Sequence, residues 1–364
     1  MSVEIRAALK QARRVVVKVG SRALTEGDGR FAALATQLAQ QRAADRQLLL
    51  VSSGAIALGR ERLGLEQRPR TIARLQASAA AGQSLLMHAW EQALEPFGVG
   101  AAQVLLTHAD LANRERFLRA RAAFDALLEL GALPIVNEND TVAVDEIRFG
   151  DNDQLAAMVA TLVGADLLIL LSDVPGLMDA DGAVVASVHD PDQVLDLVRP
   201  SEGDLGRGGM ASKLEAARRA SMRGVPVVLA GAAEQDVLAR VLEGEPLGTL
   251  FLPAGAKLPS RKHWIAYTLE PRGALLVDTG AAAALKLGGK SLLPAGVVGV
   301  RGDFEAGDAV SVLDLSGAEL ARGLSRYATP EVARFAGQQT REGDARTGQL
   351  AIGEIIHRDD LVLI

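Results

Sequence analysis

Short, strongly apolar runs recur along the first part of the chain and alternate with longer segments rich in Ala, Leu, Gln and Arg. These runs are 15–19, 48–51, 104–106, 133–136, 167–171 and 225–229. Runs this short and apolar are typical of strands buried on both faces, which occur mainly in parallel sheets. The segments between them, such as 30–46, 71–96 and 114–130, are long enough to be crossover helices. The pattern predicts an α/β domain with a mainly parallel sheet covered by helices on both faces.

The composition changes near residue 255. GAKLPSRKHW mixes Gly, Pro and basic residues without helical periodicity, which is typical of a linker. From Gly273 onward, turn signals separate short apolar pieces, as in GVVGVRGDFEAGDAVSVLDLSG, and this spacing indicates a small β-rich domain. An alanine run at 281–284 is expected to open a helix within it. We therefore predict a first domain at 1–257, a linker at 258–271 and a β-rich domain at 272–364.

Composition and charge exclude several classes of protein. The chain has 364 residues, of which 49% are apolar and 23% charged, as in ordinary globular proteins. It has no cysteine, so a disulfide scaffold, a thiolate metal site and a cysteine nucleophile are excluded. Its net charge of -6 disfavours sequence-independent binding of nucleic acid. No apolar run reaches the ~18 residues of a membrane span, and MSVEIRAALKQARR lacks the apolar segment of a secretory signal, so we expect a cytoplasmic protein without membrane contact.

The first candidate for chemistry is Lys18, at the end of the apolar run in RRVVVKVGSR. Gly20 follows it, and a glycine after a buried strand lets backbone N–H groups approach a phosphate, to which a lysine adds positive charge. The segment is not a P-loop, because G-x-x-x-x-G-K-[ST] does not occur in it. A tight turn with a surface lysine explains the same residues, and on this segment alone we favour that explanation.

A second candidate is Ser53 in VSSGAIALG, where a strand gives way to a helix. Hydroxyl and free N–H groups at a helix start can bind a carboxylate or a phosphate. Taken locally, an ordinary serine N-cap is the simpler explanation. The G-x-S-x-G motif of serine hydrolases does not occur, so nothing here favours a serine nucleophile.

The most informative polar segment is NENDTVAVDEIRFGDND, residues 137–153, which follows the apolar run ALPIV. Open α/β sheets bind their ligands at the carboxyl ends of strands, which is where this segment is expected to lie. Its six acidic side chains need a cation, an ammonium group or distant basic residues to offset them. A solvated hairpin could also carry them, but Asn137 with Asp140, and Asn152 with Asp153, combine amide and carboxylate groups in a way that favours a binding site.

Glycines at 206, 208 and 209 precede a helical segment in GDLGRGGMASKLEAARRA, with Ser212 and Lys213 in its first turn. A flexible loop before a helix would contain the same glycines. Together with Lys18, however, this segment provides two lysines at two glycine-rich junctions, as phosphoryl transfer requires. Ser172 and Asp173 end the run LLILLSD and either edge a nucleotide pocket or form an ordinary turn. The five histidines lack partners at metal-ligand spacing, so no residue is assigned to a metal.

Six of these segments occur in the order and spacing of a known family. They are VVVKVGSR, VSSGAIALGRERLG, IVNENDTVAV, GDNDQLAA, LLILLSDVPGLM and GGMASKLEAA. The chain resembles the amino acid kinase superfamily, and within it most closely the glutamate 5-kinase family. Its tail, with GALLVDTGAAAAL, SLLPAGVVGVRGDFEAGDAVSV, ARGLSRY and HRDDLV, resembles the PUA domain that bacterial members of that family carry. The resemblance covers nearly the whole chain.

The resemblance implies transfer of the ATP γ-phosphoryl group, with Mg²⁺, to the side-chain carboxylate of L-glutamate, giving glutamyl 5-phosphate for proline synthesis. A glutamate side chain has a pKa of about 4.3 and is ionised at neutral pH, so this nucleophile needs no general base.

Particular residues take roles by the same resemblance. Lys18 and Lys213 would neutralise the transferring phosphoryl group, and Asp153 would hold both lysines. The positions implied for glutamate binding are Ser53, Asp140 and Asn152, with Asn137 a further candidate beside them. The positions implied for ATP binding are Lys18, Gly20, Ser172, Asp173, Arg207, Gly208, Gly209, Met210, Ala211, Ser212 and Lys213. Arg207 stands where the family usually has threonine, and Val174-Pro175 replaces a more polar pair, so the chain departs from the family's nucleotide-binding pattern at both places.

The family likeness further implies feedback inhibition by proline, a homo-oligomer, and glutamate 5-semialdehyde dehydrogenase, the next enzyme of the pathway, as a partner. Acetylglutamate kinase and aspartokinase share the fold and the two-lysine arrangement and are the alternatives among kinases.

RNA binding is the alternative from another class, because PUA domains of RNA-modifying enzymes contact RNA. Residues 271–364 contain 10 Lys plus Arg and 12 Asp plus Glu, a net charge of -2, and their aromatics are Phe304, Tyr327 and Phe335. This tail has neither a basic groove nor a stacking platform in its sequence, which argues against RNA.

Overall fold

The chain forms two compact units, Met1–Lys257 and Leu258–Ile364. A computed structural model describes residues 2–25, 29–143, 152–191, 194, 209–253, 262, 264–265, 269, 271–287, 289–339 and 353–364. Most of the predicted linker at 258–271 lies outside these described residues. The domain boundaries therefore stay a prediction, and each unit is described by itself.

An eight-stranded sheet forms the centre of the first unit, with strand order β3-β4-β2-β1-β5-β7-β8-β6. Its strands are β1 (Arg14–Val19), β2 (Gln47–Ser52), β3 (Ala101–Leu106), β4 (Leu133–Glu138), β5 (Leu167–Ser172), β6 (Ser187–Val188), β7 (Val227–Gly231) and β8 (Thr249–Phe251). All neighbours pair in parallel except β7 and β8, which are antiparallel. The mainly parallel sheet predicted from the apolar runs is confirmed.

The described helices of this unit connect and cover the strands. They are α1 (Ser2–Ala8), α2 (Ser21–Thr25), α3 (Arg30–Ala43), α4 (Ala55–Arg62), α5 (Ile72–Leu94), α6 (His108–Ala112), α7 (Arg114–Glu129), α8 (Asn152–Val163), α9 (Met210–Ser221) and α10 (Val237–Leu242). Side chains of a strand alternate between the two faces of its sheet. In β1, Val15 and Val17 pack with residues of α3 and α5 in one core cluster. Helix α8, whose residues are all buried, also contacts β1.

The apolar run at 104–106 was expected to be buried on both faces, and this expectation is wrong. The run belongs to β3, the edge strand of the sheet, where only Leu106 is buried and Gln103 is exposed. An edge strand lacks a neighbour on one side, so its side chains retain contact with water. Apolar composition alone does not reveal which strand lies at the edge.

A five-stranded sheet of order β10-β9-β11-β12-β13 forms the second unit. Its strands are β9 (Gly273–Val277), β10 (Val297–Gly302), β11 (Ala309–Leu313), β12 (Glu319–Leu324) and β13 (Leu361–Leu363). Helix α11 (Thr279–Lys286) contains the predicted alanine run and is capped by Asp278, whose carboxylate accepts from the Ala281 N–H; α12 (Thr329–Phe335) follows later. A separate apolar core underlies this sheet. The predicted small β-rich fold of the tail is confirmed.

Within the described parts of both units, no helix combines the length and the apolarity needed to cross a membrane.

Candidate active site

The carboxyl ends of four adjacent strands, β4, β2, β1 and β5, open into one cavity of about 520 Å³. Lys18 reaches it from β1, Ser53 from the end of β2, Asn137 from β4 and Ser172 from β5. The strand order runs outward from β1 in both directions, so the cavity lies at the point where the order reverses. This is where open α/β sheets place their ligands.

Two lysines and one aspartate form a buried ion cluster at the floor of the cavity. Lys18 Nζ lies 2.6 Å from Asp153 Oδ1, and Lys213 Nζ donates to Asp153 Oδ2 at 3.1 Å. The side-chain exposures of Lys18, Asp153 and Lys213 are 6%, 0% and 9%, so little water screens the three charges. The predicted grouping of these residues is therefore present in the structure.

The protonation of Asp153 follows from its two partners. Burial by itself would raise the pKa of the Asp153 carboxyl, but the charges of Lys18 and Lys213 and their hydrogen bonds outweigh it and hold the pKa below its usual value. Asp153 also lies in the first turn of α8, where the helix dipole favours a negative charge. The carboxylate is therefore ionised at neutral pH, and the cluster carries one net positive charge.

An amide network lines another part of the cavity. Asn152 Nδ2 donates to Ser53 Oγ at 2.8 Å and to Asn137 Oδ1 at 2.9 Å. Asn137 Nδ2 in turn donates to Gln83 Oε1 at 2.8 Å, from the middle of α5. We call the Ser53, Asn137, Asp140 and Asn152 side the amide half of the cavity, and the Lys18 and Lys213 side the lysine half.

Two backbone groups fix the direction of every hydrogen bond in this network. The Glu138 N–H can only donate, and it lies 2.9 Å from Asn137 Oδ1. At the other end, the Ser52 carbonyl can only accept, and Asn152 Nδ2 lies 3.4 Å from it. Asn152 Oδ1 is then left as a buried acceptor without a partner among the described residues. The network thus offers a hydrogen-bond acceptor to a ligand that carries N–H donors.

Glycines bring the helices behind the amide half into backbone contact. A Cβ on Gly59 of α4 would overlap the Ser78 carbonyl, and one on Gly82 of α5 would overlap the Ala55 carbonyl. Only glycine permits this close approach. Gly54, with φ of 124°, likewise makes the turn from β2 into α4. These contacts fix Ser53 and Gln83 relative to each other.

Asp140 lines the amide half, and its environment changes its acidity. Burial raises the pKa of Asp140 to about 6, against the opposing effect of the positive charge of Arg68. The carboxylate is still mainly ionised at neutral pH, and it is poorly solvated. A poorly solvated carboxylate of this kind is stabilised by an ammonium group.

The residues implied for ATP binding are only partly brought together. Gly20, Ser172 and Asp173 line the cavity beside the lysine half. The Asp173 carboxylate accepts from Ser172 Oγ at 3.0 Å and pairs with Arg22 at 3.0 Å, so it is oriented from two sides.

Arg207 and Gly208 lie outside the described residues. Gly209 caps α9, which begins with Met210, Ala211 and Ser212; of residues 209–213, Lys213 alone is among the described residues that line the cavity.

Sequence reasoning missed four residues at this site: Arg22, Arg60, Arg68 and Gln83. Arg22, Arg60 and Arg68 line the cavity, and Gln83 supports Asn137 from behind. None belongs to a local motif with an interpretable spacing. Arg60 is the one exception in part. It lies four residues after Ile56 and therefore on the same face of α4, and this spacing is the single local feature that connects one of the four residues to the site.

Among the described residues, no group of three or more His, Asp or Glu side chains could hold a metal ion. The Asp153 carboxylate, which is nearest to the lysine half, is already bound by both lysines.

Comparison with known families gives this geometry its context. The model of the amino acid kinase family matches residues 13–231, which contain the whole cavity. The chain belongs to the amino acid kinase family. The model of the PUA domain matches residues 273–345, within the second compact unit.

Similar proteins cover the chain from end to end. It is 46% identical over 368 residues to a glutamate 5-kinase of Geobacter sulfurreducens, an alignment that covers 98% of this chain and 99% of the relative. A glutamate 5-kinase of Halorhodospira halophila is 48% identical over 377 residues, with coverages of 98% and 99%. One of Moorella thermoacetica is 46% identical over 373 residues, with 99% of each chain covered. Within the family, the chain is thus similar to glutamate 5-kinases over both of its units.

Proposed function

We propose that this protein transfers the γ-phosphoryl group of ATP to the side-chain carboxylate of L-glutamate and forms glutamyl 5-phosphate, the first step of proline biosynthesis. The observation that carries the proposal is the buried cluster of Lys18, Asp153 and Lys213 beside an amide-lined half cavity. Family membership and the names of the full-length relatives support the same reaction.

The chemistry needs positioning and charge rather than a base. A γ-carboxylate oxygen of glutamate attacks the γ-phosphorus, the new P–O bond forms, and the bond from this phosphorus to the bridging oxygen of ADP breaks. The carboxylate is already ionised at neutral pH, so no proton has to leave. Negative charge spreads over the transferring group, and Lys18 and Lys213 act there as preorganised cations. Asp153 fixes both ammonium groups and does not react.

The amide half suits the amino acid. Asp140 provides a poorly solvated carboxylate for the substrate ammonium group, and Asn152 Oδ1 provides a neutral acceptor. Ser53 and Asn137 hold Asn152 in this orientation. An N-acetylated amino acid lacks the ammonium charge that would compensate Asp140, which disfavours acetylglutamate as the substrate.

The nucleotide is proposed to occupy the lysine half, next to Gly20, Ser172 and Asp173, with the segment 207–213 as the remaining part of its site. We propose Mg²⁺ as the accompanying ion, where it would neutralise phosphate charge. Because Asp153 is committed to two lysines, the ion is expected to be held mainly by the ATP phosphates and water, a binding mode that Mg²⁺ prefers.

Four further proposals go beyond the reaction itself. They are a cytoplasmic location, inhibition by proline, assembly into a homo-oligomer, and contact with glutamate 5-semialdehyde dehydrogenase, which would take up the reactive acyl phosphate. The net charge of -2 over residues 271–364 continues to argue against RNA as a ligand of the tail.

The proposal is tested by measuring ADP formation with L-glutamate, L-aspartate and N-acetyl-L-glutamate at equal concentrations. We expect turnover with glutamate to exceed that with either analogue by at least about 100-fold, since each analogue misplaces or lacks a charged group. Comparable or faster turnover with N-acetylglutamate or aspartate would contradict the proposal and would indicate an acetylglutamate kinase or an aspartokinase instead.

A further inference from the structure

One charged group of the proposed substrate, its α-carboxylate, has no partner in the mechanism above. L-Glutamate brings two carboxylates and one ammonium group into the site. Lys18 and Lys213 face the reacting carboxylate, and Asp140 suits the ammonium group. The α-carboxylate is the remaining charge, and burying it without a cation would be costly.

Arg60 is a cation in the cavity whose side chain has no partner among the described residues. It lines the cavity and is half-buried, and its Nε is shielded from water. The Arg60 side chain makes no hydrogen bond or ion pair with any described residue, although guanidinium groups shielded from water are normally paired. A ligand anion would supply the missing partner.

The fold places Arg60 beside the amide half of the cavity, which is the half proposed to bind the amino acid. Helix α4 begins directly after Ser53, at the end of β2, and Arg60 lies one helical turn after Ile56, which also lines the cavity. Strands β2 and β4 carry the amide half, whereas β1 and β5 carry Lys18 and Ser172. The contact of Gly59 with α5 holds this part of α4 in place.

We infer that Arg60 binds the α-carboxylate of the amino acid substrate through its guanidinium group and thereby selects α-amino acids over simple carboxylates. This inference rests on the proposed function. A guanidinium group matches a carboxylate with two parallel N–H donors, which a lysine cannot reproduce. Arg68 also lines the cavity, but it is exposed, and its charge acts on Asp140, where it opposes the effect of burial on the pKa.

The test compares two substrates that differ only in the α-carboxylate, L-glutamate and 4-aminobutyrate. In the Arg60→Gln variant we expect kcat/KM for glutamate to fall about 10- to 100-fold, because a charged hydrogen-bond pair is lost, while kcat/KM for 4-aminobutyrate changes less than about threefold. Arg60→Lys should fall between wild type and Arg60→Gln. Arg62→Gln, an exposed position on the same helix, is the matched control and should behave as wild type.

The outcomes separate this inference from the proposed function. Suppose that the wild-type protein turns over glutamate. If Arg60→Gln then lowers kcat/KM equally for both substrates, or for neither, Arg60 does not bind the α-carboxylate. A selective loss for glutamate in Arg68→Gln, with Arg60→Gln unchanged, would assign the contact to Arg68 and overturn the inference. If the wild-type protein shows no glutamate-dependent turnover at all, the proposed function itself fails. The ratio of kcat/KM for the two substrates within one variant does not depend on how much of the protein is folded, so a general loss of folded protein cannot produce a selective effect.

Discussion

Lys18 Nζ lies 2.6 Å from Asp153 Oδ1, although Lys18 belongs to β1 and Asp153 lies in the first turn of α8, far along the chain. The pair is almost fully buried, and Lys213 occupies the other carboxylate oxygen. One carboxylate therefore holds two ammonium groups that line the cavity. Removing a single partner from a buried ion cluster typically destabilises a protein by about 3–5 kcal/mol, so the three residues are expected to act as a unit.

Replacing either lysine should affect the chemical step more than glutamate binding. We predict that Lys18→Met and Lys213→Met each lower kcat by about 10²–10³, because one preorganised donor to the transition state is lost, while the KM for glutamate changes little. Steady-state kinetics at saturating ATP measures both quantities. Lys10→Met, at an exposed surface ion pair with Glu243, is the matched control. Near-wild-type kcat in both cavity variants would remove the two lysines from the reaction.

The raised pKa of Asp140 predicts a pH dependence of glutamate binding. With a pKa of about 6, Asp140 is charged above that pH and takes up a proton below it. The KM for glutamate should therefore rise as the pH falls from 7.5 to 5, a window in which glutamate itself remains ionised. Asp140→Asn should have a high KM at pH 7.5 and lack this dependence.

Exposed Asp181→Asn serves as the control for Asp140→Asn and should retain the wild-type pH profile. If instead the KM for ATP rises in Asp140→Asn and that for glutamate is unchanged, Asp140 belongs to the nucleotide or its metal ion.

Gln83 is predicted to act through Asn137. Gln83→Met removes the acceptor of Asn137 Nδ2 and leaves a buried donor unpaired, which typically costs about 1–3 kcal/mol. We expect the KM for glutamate to rise about tenfold, with kcat and the KM for ATP changed less than about threefold. Gln83→Glu keeps an acceptor at this position and should restore most of the affinity. Exposed Gln92→Met on the same helix is the control; equal losses in both Gln83 variants would point to a packing role only.

Some of these contacts could be predicted from the sequence and others could not, for physical reasons. Lys18, Asp153 and Lys213 each lie at the end of a strand or the start of a helix, and parallel sheets bring such positions to one edge. Gln83 and Arg60 lie within helices, where their contacts depend on how α4 and α5 cross at Gly59 and Gly82. That crossing is a tertiary property, and no local spacing encodes it.

A chain truncated after Lys257 tests where catalysis resides. It keeps every residue assigned here to glutamate, ATP or the phosphoryl group, all of which belong to the first compact unit. We predict a folded protein with glutamate-dependent ATP turnover within about tenfold of the full chain, measured as ADP release. Complete loss of activity in a folded truncated protein, together with salt-sensitive RNA binding by residues 258–364, would instead assign the tail an essential role and RNA as its ligand.

The central claim is that a carboxylate oxygen of glutamate attacks the γ-phosphorus, and oxygen labelling tests it most directly. Glutamate labelled with ¹⁸O in its side-chain carboxylate is incubated with ATP and the full-length protein, and hydroxylamine is added to attack the acyl carbon of the product. The account predicts glutamyl hydroxamate together with inorganic phosphate that carries one ¹⁸O atom, because the bridging oxygen leaves with the phosphate. Unlabelled phosphate without hydroxamate would show that ATP is hydrolysed by water, and would contradict the account.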